Sequence, residues 1–384
     1  MRFIHTSDWH LGRALHGVRL IEDQAHILDQ FVRIVADVSP DLVVIAGDVF
    51  DRAQPSRESL GLLNDTLNRI VAAAGVPVLA IAGNHDSAEL IEFGAQIAEK
   101  GDLYLCGVLS EAPSFFDFAD DFGPVRFYAL PYADPAVVRE RWGLAPEDVP
   151  DHDAAFRVIT NRIRADHPEG HRSIMVAHAF VTGGRESESE RPLAVGGAGN
   201  VSAEYFDGFD YTCLGHLHRP QSVGREIIRY SGSLLKYSAS EIGHEKSLTL
   251  VEMDAAGAVT TEELALVPRR DFRELSGAFD DLCADGPQGA AEDYLVVNLT
   301  DRGPIPDAMT RLREIYPNVL HINRVRGPAG DGRDITIGDH QDVGPEDMFE
   351  SFYRYITEED LDGAQKATIA KVVHAARLDD SEAG

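Results

Sequence analysis

One pattern constrains this sequence more than any other. Five times, a short apolar run ends directly in a cluster of Asp, Asn, Gly or His. Phe3-Ile4 leads to Asp8-Trp9-His10, Val43–Ala46 to Gly47-Asp48-Val49-Phe50-Asp51, and Val78–Ala82 to Gly83-Asn84-His85-Asp86. Ile174–Ala177 leads to His178, and Tyr211–Leu214 to Gly215-His216-Leu217-His218. Short apolar runs bounded by turn residues read as buried strands. Between them Ile27, Leu28, Phe31, Val32 and Val35 recur at helical spacing, as do Leu60, Leu63, Leu67, Ile70 and Val71. Strands that alternate with helices predict an α/β core with parallel pairing. The carboxyl ends of such strands share an edge, and that edge is where α/β sheets place their ligands.

The side chains gathered there are carboxylates, an amide and several imidazoles. Asp supplies anionic oxygen, His a neutral nitrogen, and Asn a carbonyl oxygen. Mixed nitrogen and oxygen donors without thiolate favour manganese, iron or zinc over calcium or magnesium. Asp8 and His10 are two residues apart, so both point the same way in an extended chain, and His216 and His218 share that spacing. The glycines before Asp48, Asn84 and His216 permit tight turns and close backbone approach. A Gly-Asp or Gly-Asn pair alone is usually a turn, and an isolated Asp-x-His or His-x-His pair is a weak signal. Five such clusters, each directly after an apolar run, indicate a site.

The rest of the chain extends the pattern. Val125–Leu130, Ile227–Tyr230 and Ser247–Met253 read as further strands, and Asp134–Asp166 as helix broken by prolines. Thr182–Asn200, rich in Gly, Ser, Glu and Arg, reads as a long exposed loop, a length uncommon without a function. A boundary falls near Leu266-Val267-Pro268, which makes residues 1–268 one domain. Beyond it the expected order is helix (Phe272–Cys283), strand (Tyr294–Leu299), helix (Ala308–Ile315) and strand (Val319–Val325). These form a small α/β domain over residues 269–330, followed by a linker at 331–344 and C-terminal helices at 345–384. The first of those helices carries Met348, Phe349, Phe352 and Tyr353, a large apolar load for a short terminal helix, suited either to covering the protein's own core or to docking on a partner.

Composition narrows the function. Lys and Arg number 35 against 64 Asp and Glu, a net charge of −29 spread along the whole chain. That balance disfavours binding nucleic acid by broad electrostatic attraction, while leaving room for a local site. No stretch approaches the about 20 consecutive apolar residues of a membrane helix. The N-terminus lacks the apolar segment of a signal peptide, so the expected location is the cytoplasm, with no membrane association. Three dispersed cysteines fit reduced thiols rather than a disulfide framework.

The five clusters together resemble the calcineurin-like metallophosphoesterase family. Thr6–Arg13, Gly215–Gln221, Tyr230-Ser231-Gly232-Ser233, Tyr237–Glu241 and the loop Gly183–Gly197 with Ser189-Glu190-Arg191 are similar to its SbcD branch. The likeness is strong over residues 1–250 and one of layout beyond 270. It implies an α/β fold, a four-layer sandwich of two mixed sheets flanked by helices, with a capping domain and C-terminal helices.

It also implies two divalent ions, most often manganese. Asp8, His10, Asp48 and His218 would hold one. Asp48, Asn84, His178 and His216 would hold the other, with Asp48 between them. His85 would orient the phosphate or protonate the leaving 3′ oxygen, and Asp51 and Asp86 would orient ligands. Arg13, Arg185, Arg191 and Arg219 lie near the clusters and become candidate contacts to DNA phosphates, whereas Trp9 reads as packing.

The implied activity is a DNA nuclease: a 3′–5′ exonuclease on duplex ends and an endonuclease on single strands and hairpins. The implied partners are DNA, a second copy of the chain, and an SbcC-like coiled-coil ATPase in a heterotetramer. Two other readings share the core motifs. One is a phosphodiesterase or phosphatase for a small nucleotide or phosphoprotein, and the other is a non-catalytic scaffold for the ATPase.

Overall fold

Each of the five apolar runs forms a strand in the computed structural model, which describes residues 1–190, 199–286, 291–301, 303–324, 349–350, 353–354, 357 and 359–382. The chain divides into two compact units. One is Met1–Glu274 with Glu292–Leu295, and the other is Leu275–Ala291 with Val296–Gly384.

The first unit begins with β1 (Arg2–Thr6), α1 (Ile21–Val38), β2 (Leu42–Ile45), α2 (Arg57–Leu67), β3 (Val78–Ile81) and β4 (Leu103–Cys106). It continues with β5 (Ser114–Asp120), β6 (Gly123–Leu130), α3 (Pro135–Trp142), α4 (His152–Asp166), β7 (Arg172–His178) and β8 (Tyr211–Gly215). The strands β9 (Gln221–Val223), β10 (Arg225–Tyr230), β11 (Ser247–Met253) and β12 (Val259–Ala265) follow. They make two six-stranded sheets, in the orders β12-β11-β1-β2-β3-β4 and β9-β10-β8-β7-β6-β5.

The centre of each sheet is parallel, as the alternation of strand and helix predicts. The pairs β1–β2, β2–β3 and β3–β4 are parallel in one sheet, and β6–β7, β7–β8 and β8–β10 in the other. The antiparallel pairs β1–β11 and β5–β6 make both sheets mixed.

The sheets face each other across one core, in which Phe3, Val44, Leu79 and Ile81 meet Phe127, Ile174, Val176 and Tyr211. Helices cover the outer faces. In α1, Ile27, Leu28, Phe31 and Val35 are buried, each contributing roughly 1.5–3 kcal/mol. Phe156, Ile159 and Ile163 of α4 pack on Tyr128, Leu130 and Met175 of the second sheet. The result is the four-layer sandwich. Trp9 is fully buried and meets Phe31 edge-on at 5.6 Å, so it packs.

Four strands were not apparent in the apolar pattern: β4, β5, β9 and β12. All four are edge strands. The residues of β12 are mostly exposed, and those of β5 alternate between half-buried and exposed, so neither needs an apolar run.

Beyond Pro268 the elements differ from the expected order. Phe272–Cys283 is not one helix: Phe272–Gly277 is strand β13, and the helix α5 is Phe279–Asp285. Burial alternates along β13, a period of two that pairing with a neighbour selects over helix. The strands β14 (Tyr294–Leu299) and β15 (Val319–Arg324) complete a three-stranded sheet, with α6 (Ala308–Arg313) between them. The C-terminal helix α7 spans Gly363–Glu382. The expected linker at 331–344 lies outside the described residues, as do Met348 and Phe352. Among the described residues, no helix is long and apolar enough to cross a membrane.

The sheets are tied at both ends. Near the amino ends of β1 and β7, Asp120 pairs with the Met1 ammonium at 2.5 Å and accepts from Arg172. Arg172 also donates to Asp254 O at 3.1 Å, reaching across to the first sheet. At the carboxyl ends, His178 Nδ1 donates to Ala46 O at 2.9 Å, and His5 Nε2 to Leu214 O at 3.1 Å. A Cβ on Gly215 would lie 1.9 Å from Ala46 O, so only glycine allows this closure.

Arg172, then the Met1 ammonium, holds the Asp120 carboxyl well below the usual range. Its contribution is therefore fully present above the unfolded aspartate pKa of about 3.9 and fades as pH falls. Asp120→Asn should lower unfolding free energy by roughly 1.5–3 kcal/mol near neutral pH, the worth of a charge-assisted hydrogen bond. Urea unfolding should show that difference at pH 7 and a smaller one at pH 3. An equal difference at both would contradict the assignment.

Candidate metal centre

The loops after β1 and β2 run side by side. Asp8 N–H donates to Gly47 O at 3.0 Å, His10 N–H to Asp48 O at 3.0 Å, and Leu11 N–H to Val49 O at 2.9 Å. This pairing sets Asp8 and His10 beside Asp48. Asp86, from the loop after β3, braces the Asp48 loop by accepting from Val49 N–H, Phe50 N–H and Gly83 N–H at 2.8–3.1 Å. Gly83 passes so close to Asp48 that a Cβ would sit 2.2 Å from Asp48 Oδ1.

The backbone is strained here. Asp8, His10, Asp48 and His216 have φ of 53°, 46°, 51° and 109°. They are half of the non-glycine residues with positive φ among those described. Such conformations cost of order 1–3 kcal/mol each and cluster where function fixes the backbone.

The donor atoms converge from both sheets. His10 Nε2 faces His218 Nε2 at 3.1 Å. His178 Nε2 lies 3.0 Å from Asn84 Oδ1, and His216 Nδ1 lies 3.2 Å from that same oxygen. Asp48 Oδ2 sits between the two groups, 3.6 Å from His10 Nε2 and 3.4 Å from His178 Nε2. Asp8 accepts from His216 N–H at 3.0 Å and from Ser7 Oγ. Ligand atoms of Asp8, His10 and His218 lie within 4.8 Å of one another, as do those of Asp8, Asp48 and His178. All except Asn84, which is half-buried, are buried.

Hydrogen bonds fix several tautomers. A carbonyl can only accept, so His178 Nδ1 carries a proton for Ala46 O, and in the neutral ring Nε2 turns a lone pair inward. The His10 and His218 Nε2 atoms face each other at 3.1 Å beside the Asp8 carboxylate, a set of donor atoms that a cation would satisfy.

The electrostatics agree. Burial pushes His10 and His216 well below their usual range, which keeps them neutral as ligands must be. Burial also raises Asp8 to about 6. Burial would raise Asp48 too, but His178, His10 and His85 hold its carboxyl far below the ordinary range. Burial would discharge His178, yet Asp48, Asp8 and the Ala46 carbonyl raise it to about 9. A proton on His178 thus supplies positive charge that a divalent ion would otherwise bring. The residues fit two divalent ions.

The remaining sequence candidates fall around this centre. His85 N–H donates to Asp48 Oδ1 at 2.8 Å and His85 Nδ1 to Asp51 O at 2.9 Å, while its ring stands edge-on to His10 at 4.7 Å. Asp51 Oδ1 accepts from Arg13 at 2.9 Å and lies 3.7 Å from His10 Nδ1. Arg13 therefore points into the site's own carboxylates, reaching Ser189 O as well. Arg185 is exposed and Arg219 half-buried, and Arg191 lies outside the described residues.

Residue-by-residue reading missed the outer layer of this site. Glu241, Ser189, Glu190 and Lys246 all bond to His218 or to each other. The available signal was that three of them, Ser189, Glu190 and Glu241, fall in the loop and segment similar to the SbcD branch.

The family model for calcineurin-like phosphoesterases matches residues 1–220. A second model, described as the type 5 capsule protein repressor C-terminal domain, matches residues 268–357. The chain is 31% identical to the D subunit of the nuclease SbcCD from Staphylococcus epidermidis over 373 residues, which is 96% of this chain and 97% of that protein. Among solved structures, a protein from Thermus thermophilus matches with a TM-score of 0.38 and 17% identity, covering 68% of this chain and 98% of its own. A dimetal phosphatase from Danio rerio matches with a TM-score of 0.39 and 10% identity, covering 70% and 98%.

Because His178 is raised to about 9, loading the centre with a divalent ion at pH 7 must expel its proton. Metal affinity should then rise with pH up to about that value. Calorimetric titration with manganese(II) in buffers of different ionisation enthalpy should report net proton release at pH 7. Binding without proton release would contradict the assignment.

Proposed function

We propose that this chain, which belongs to the calcineurin-like phosphoesterase family, is the nuclease subunit of an SbcC–SbcD-like complex. In this reading it acts as a 3′–5′ exonuclease on duplex DNA ends and as an endonuclease on single strands and hairpins. Its setting is DNA end processing, repair, replication and recombination in the cytoplasm. The observation that carries the reading is the extent of the likeness: the nuclease relative matches 96% of the chain, well beyond the donor cluster. The chemistry is metal-dependent phosphodiester hydrolysis.

Asp8, His10, Asp48 and His218 would hold one ion, and Asp48, Asn84, His178 and His216 the other. Manganese suits this nitrogen and oxygen set. The ions would supply Lewis-acid polarisation of the phosphate and a nucleophile at neutral pH. The chain's own residues do the rest. Asp51 O fixes the proton on His85 Nδ1, so Nε2 is the ring atom able to hold and pass a second proton. As the new oxygen–phosphorus bond forms, the bond to the 3′ oxygen breaks, and His85 Nε2 gives that oxygen its proton. Asp86 keeps the Asp48 loop in register, and Arg13 holds Asp51.

Arg185, which is exposed, and Arg219, which is half-buried, are the candidates in this reading to meet DNA phosphates. In the second unit, Phe349 is 43% exposed and lines a groove with Tyr353, Leu361, Ala364 and Ile369. That groove suits a helix of the coiled-coil ATPase. In the first unit, Phe93, directly after the short helix Ala88–Glu92, and Ile97, within the short helix Ala95–Ala98, are 83% and 78% exposed. These side chains, directly after the His85 loop, suit a second copy of the chain within a heterotetramer.

The test is manganese-dependent degradation of linear duplex DNA, with small phosphodiesters as controls. Faster turnover of the small esters would favour a small-nucleotide phosphodiesterase instead. His85→Ala should lower DNA cleavage by about 10²–10⁴, the worth of a general acid, while elemental analysis still finds both metals. An unchanged rate would remove the acid role. His178→Ala should instead lose metal, and full occupancy would sink its assignment as a ligand. With a charge of −29, the subunit alone should bind DNA weakly in a mobility-shift titration.

A further inference from the structure

The ring and backbone of His218 are tied down at every polar atom but one. Its N–H donates to Glu190 Oε1 at 2.8 Å. Its carbonyl accepts from Lys246 Nζ at 2.8 Å and from Ser233 N–H at 3.1 Å. Its Nδ1 lies 3.1 Å from Glu241 Oε1 and 2.7 Å from Ser189 Oγ. The remaining atom, Nε2, faces His10 Nε2.

Glu241 is the hub of these contacts. It is fully buried, and its Oε1 accepts from Ser189 Oγ at 2.5 Å and Tyr237 N–H at 3.2 Å. Its Oε2 accepts from Lys246 Nζ at 2.5 Å. Ser189 gives its hydroxyl proton to Glu241, so its oxygen accepts at His218 Nδ1. Both neighbours of Nδ1 are acceptors, and the proton must therefore sit on Nδ1. In the neutral ring that a ligand must present, this leaves the Nε2 lone pair directed into the centre.

We propose that Glu241, with Ser189 as its bridge, is the positioning residue of His218. It fixes the Nδ1–H tautomer and the ring plane, and it makes Nε2 a better donor to the ion. A carboxylate behind a metal-binding imidazole acts in this way generally. The inference rests on the reading of His218 as a ligand. It also gives the loop that carries Ser189 and Glu190 a defined task. Arg185 N–H donates to Gln221 Oε1 at 2.9 Å, and Gln221 Nε2 returns a bond to Arg185 O at 2.9 Å. The loop is thus stapled beside His218 at both ends of the stretch Arg185–Glu190.

The alternative is that Glu241 serves only as the counter-ion of buried Lys246. Manganese(II) titration of the full chain, followed by electron paramagnetic resonance, separates the two roles. The parent should bind two equivalents, and His218→Ala should lose one. Glu241→Gln should weaken one equivalent about 10–100-fold and spare the other. Because that change leaves Lys246 unpaired and can prevent folding, Ser189→Ala is the second variant. It keeps the ion pair, so the chelated protein should melt like the parent while the same equivalent weakens several-fold.

Parental affinity at both sites in folded Glu241→Gln, or in Ser189→Ala if the former does not fold, would overturn the inference, provided His218→Ala has lost its equivalent. Two full equivalents in His218→Ala would instead overturn the ligand reading beneath it.

Discussion

Asp48 is 2% exposed and remains ionised, and this is the constraint on which the rest of the site depends. A buried carboxylate is tolerated only when opposite charge and hydrogen bonds replace the water it has lost. His85 N–H supplies one bond to Asp48, the His178 ring supplies nearby positive potential, and the His10 ring lies 3.6 Å away. Those groups come from three loops on two different sheets. The sheets must therefore close at this edge, and the backbone must turn sharply to deliver the side chains. The positive φ of Asp8, His10, Asp48 and His216 is the local cost of that delivery.

The same hydrogen bond serves fold and site. His178 Nδ1 donates to Ala46 O, which ties β7 to the end of β2 and points the opposite ring nitrogen at Asp48. Gly215 makes the approach possible from β8. At the far end Asp120, Arg172 and the amino terminus hold the sheets together without any role in the centre. One end of the sandwich is closed by ordinary charge pairing, and the other by the residues that carry the chemistry.

This division explains what could be read from the residues alone. Central parallel strands are buried on both faces, so they appear as apolar runs, and the donor clusters that follow them were legible for the same reason. Edge strands such as Val259–Ala265 bury one face or less and left no such trace. Phe272–Gly277 read as helix because six residues with two apolar side chains fit either period, and only pairing decides between them. The inner donors announce themselves by type and position. Glu241, Ser189 and Lys246 do not, because a lone Glu, Ser or Lys far along the chain has no spacing relation to His218. Their role comes from a fold that brings residues 189, 218, 241 and 246 together.

The overall acidity can now be placed more narrowly. A charge of −29 acts at the range of the Debye length, about 10 Å at 0.1 M salt, whereas a buried centre acts at contact. Two divalent ions set against Asp8 and Asp48 leave a positive focus inside a negative surface. Low dielectric around the focus strengthens its pull on a phosphate already at the mouth, and the acidic exterior does little to bring one there. In the proposed function, capture and catalysis are therefore separable tasks. The centre supplies the second, and Arg185, Arg219, a second copy and the ATPase supply the first. In that reading, the acidity of the subunit is a reason for it to work within such an assembly.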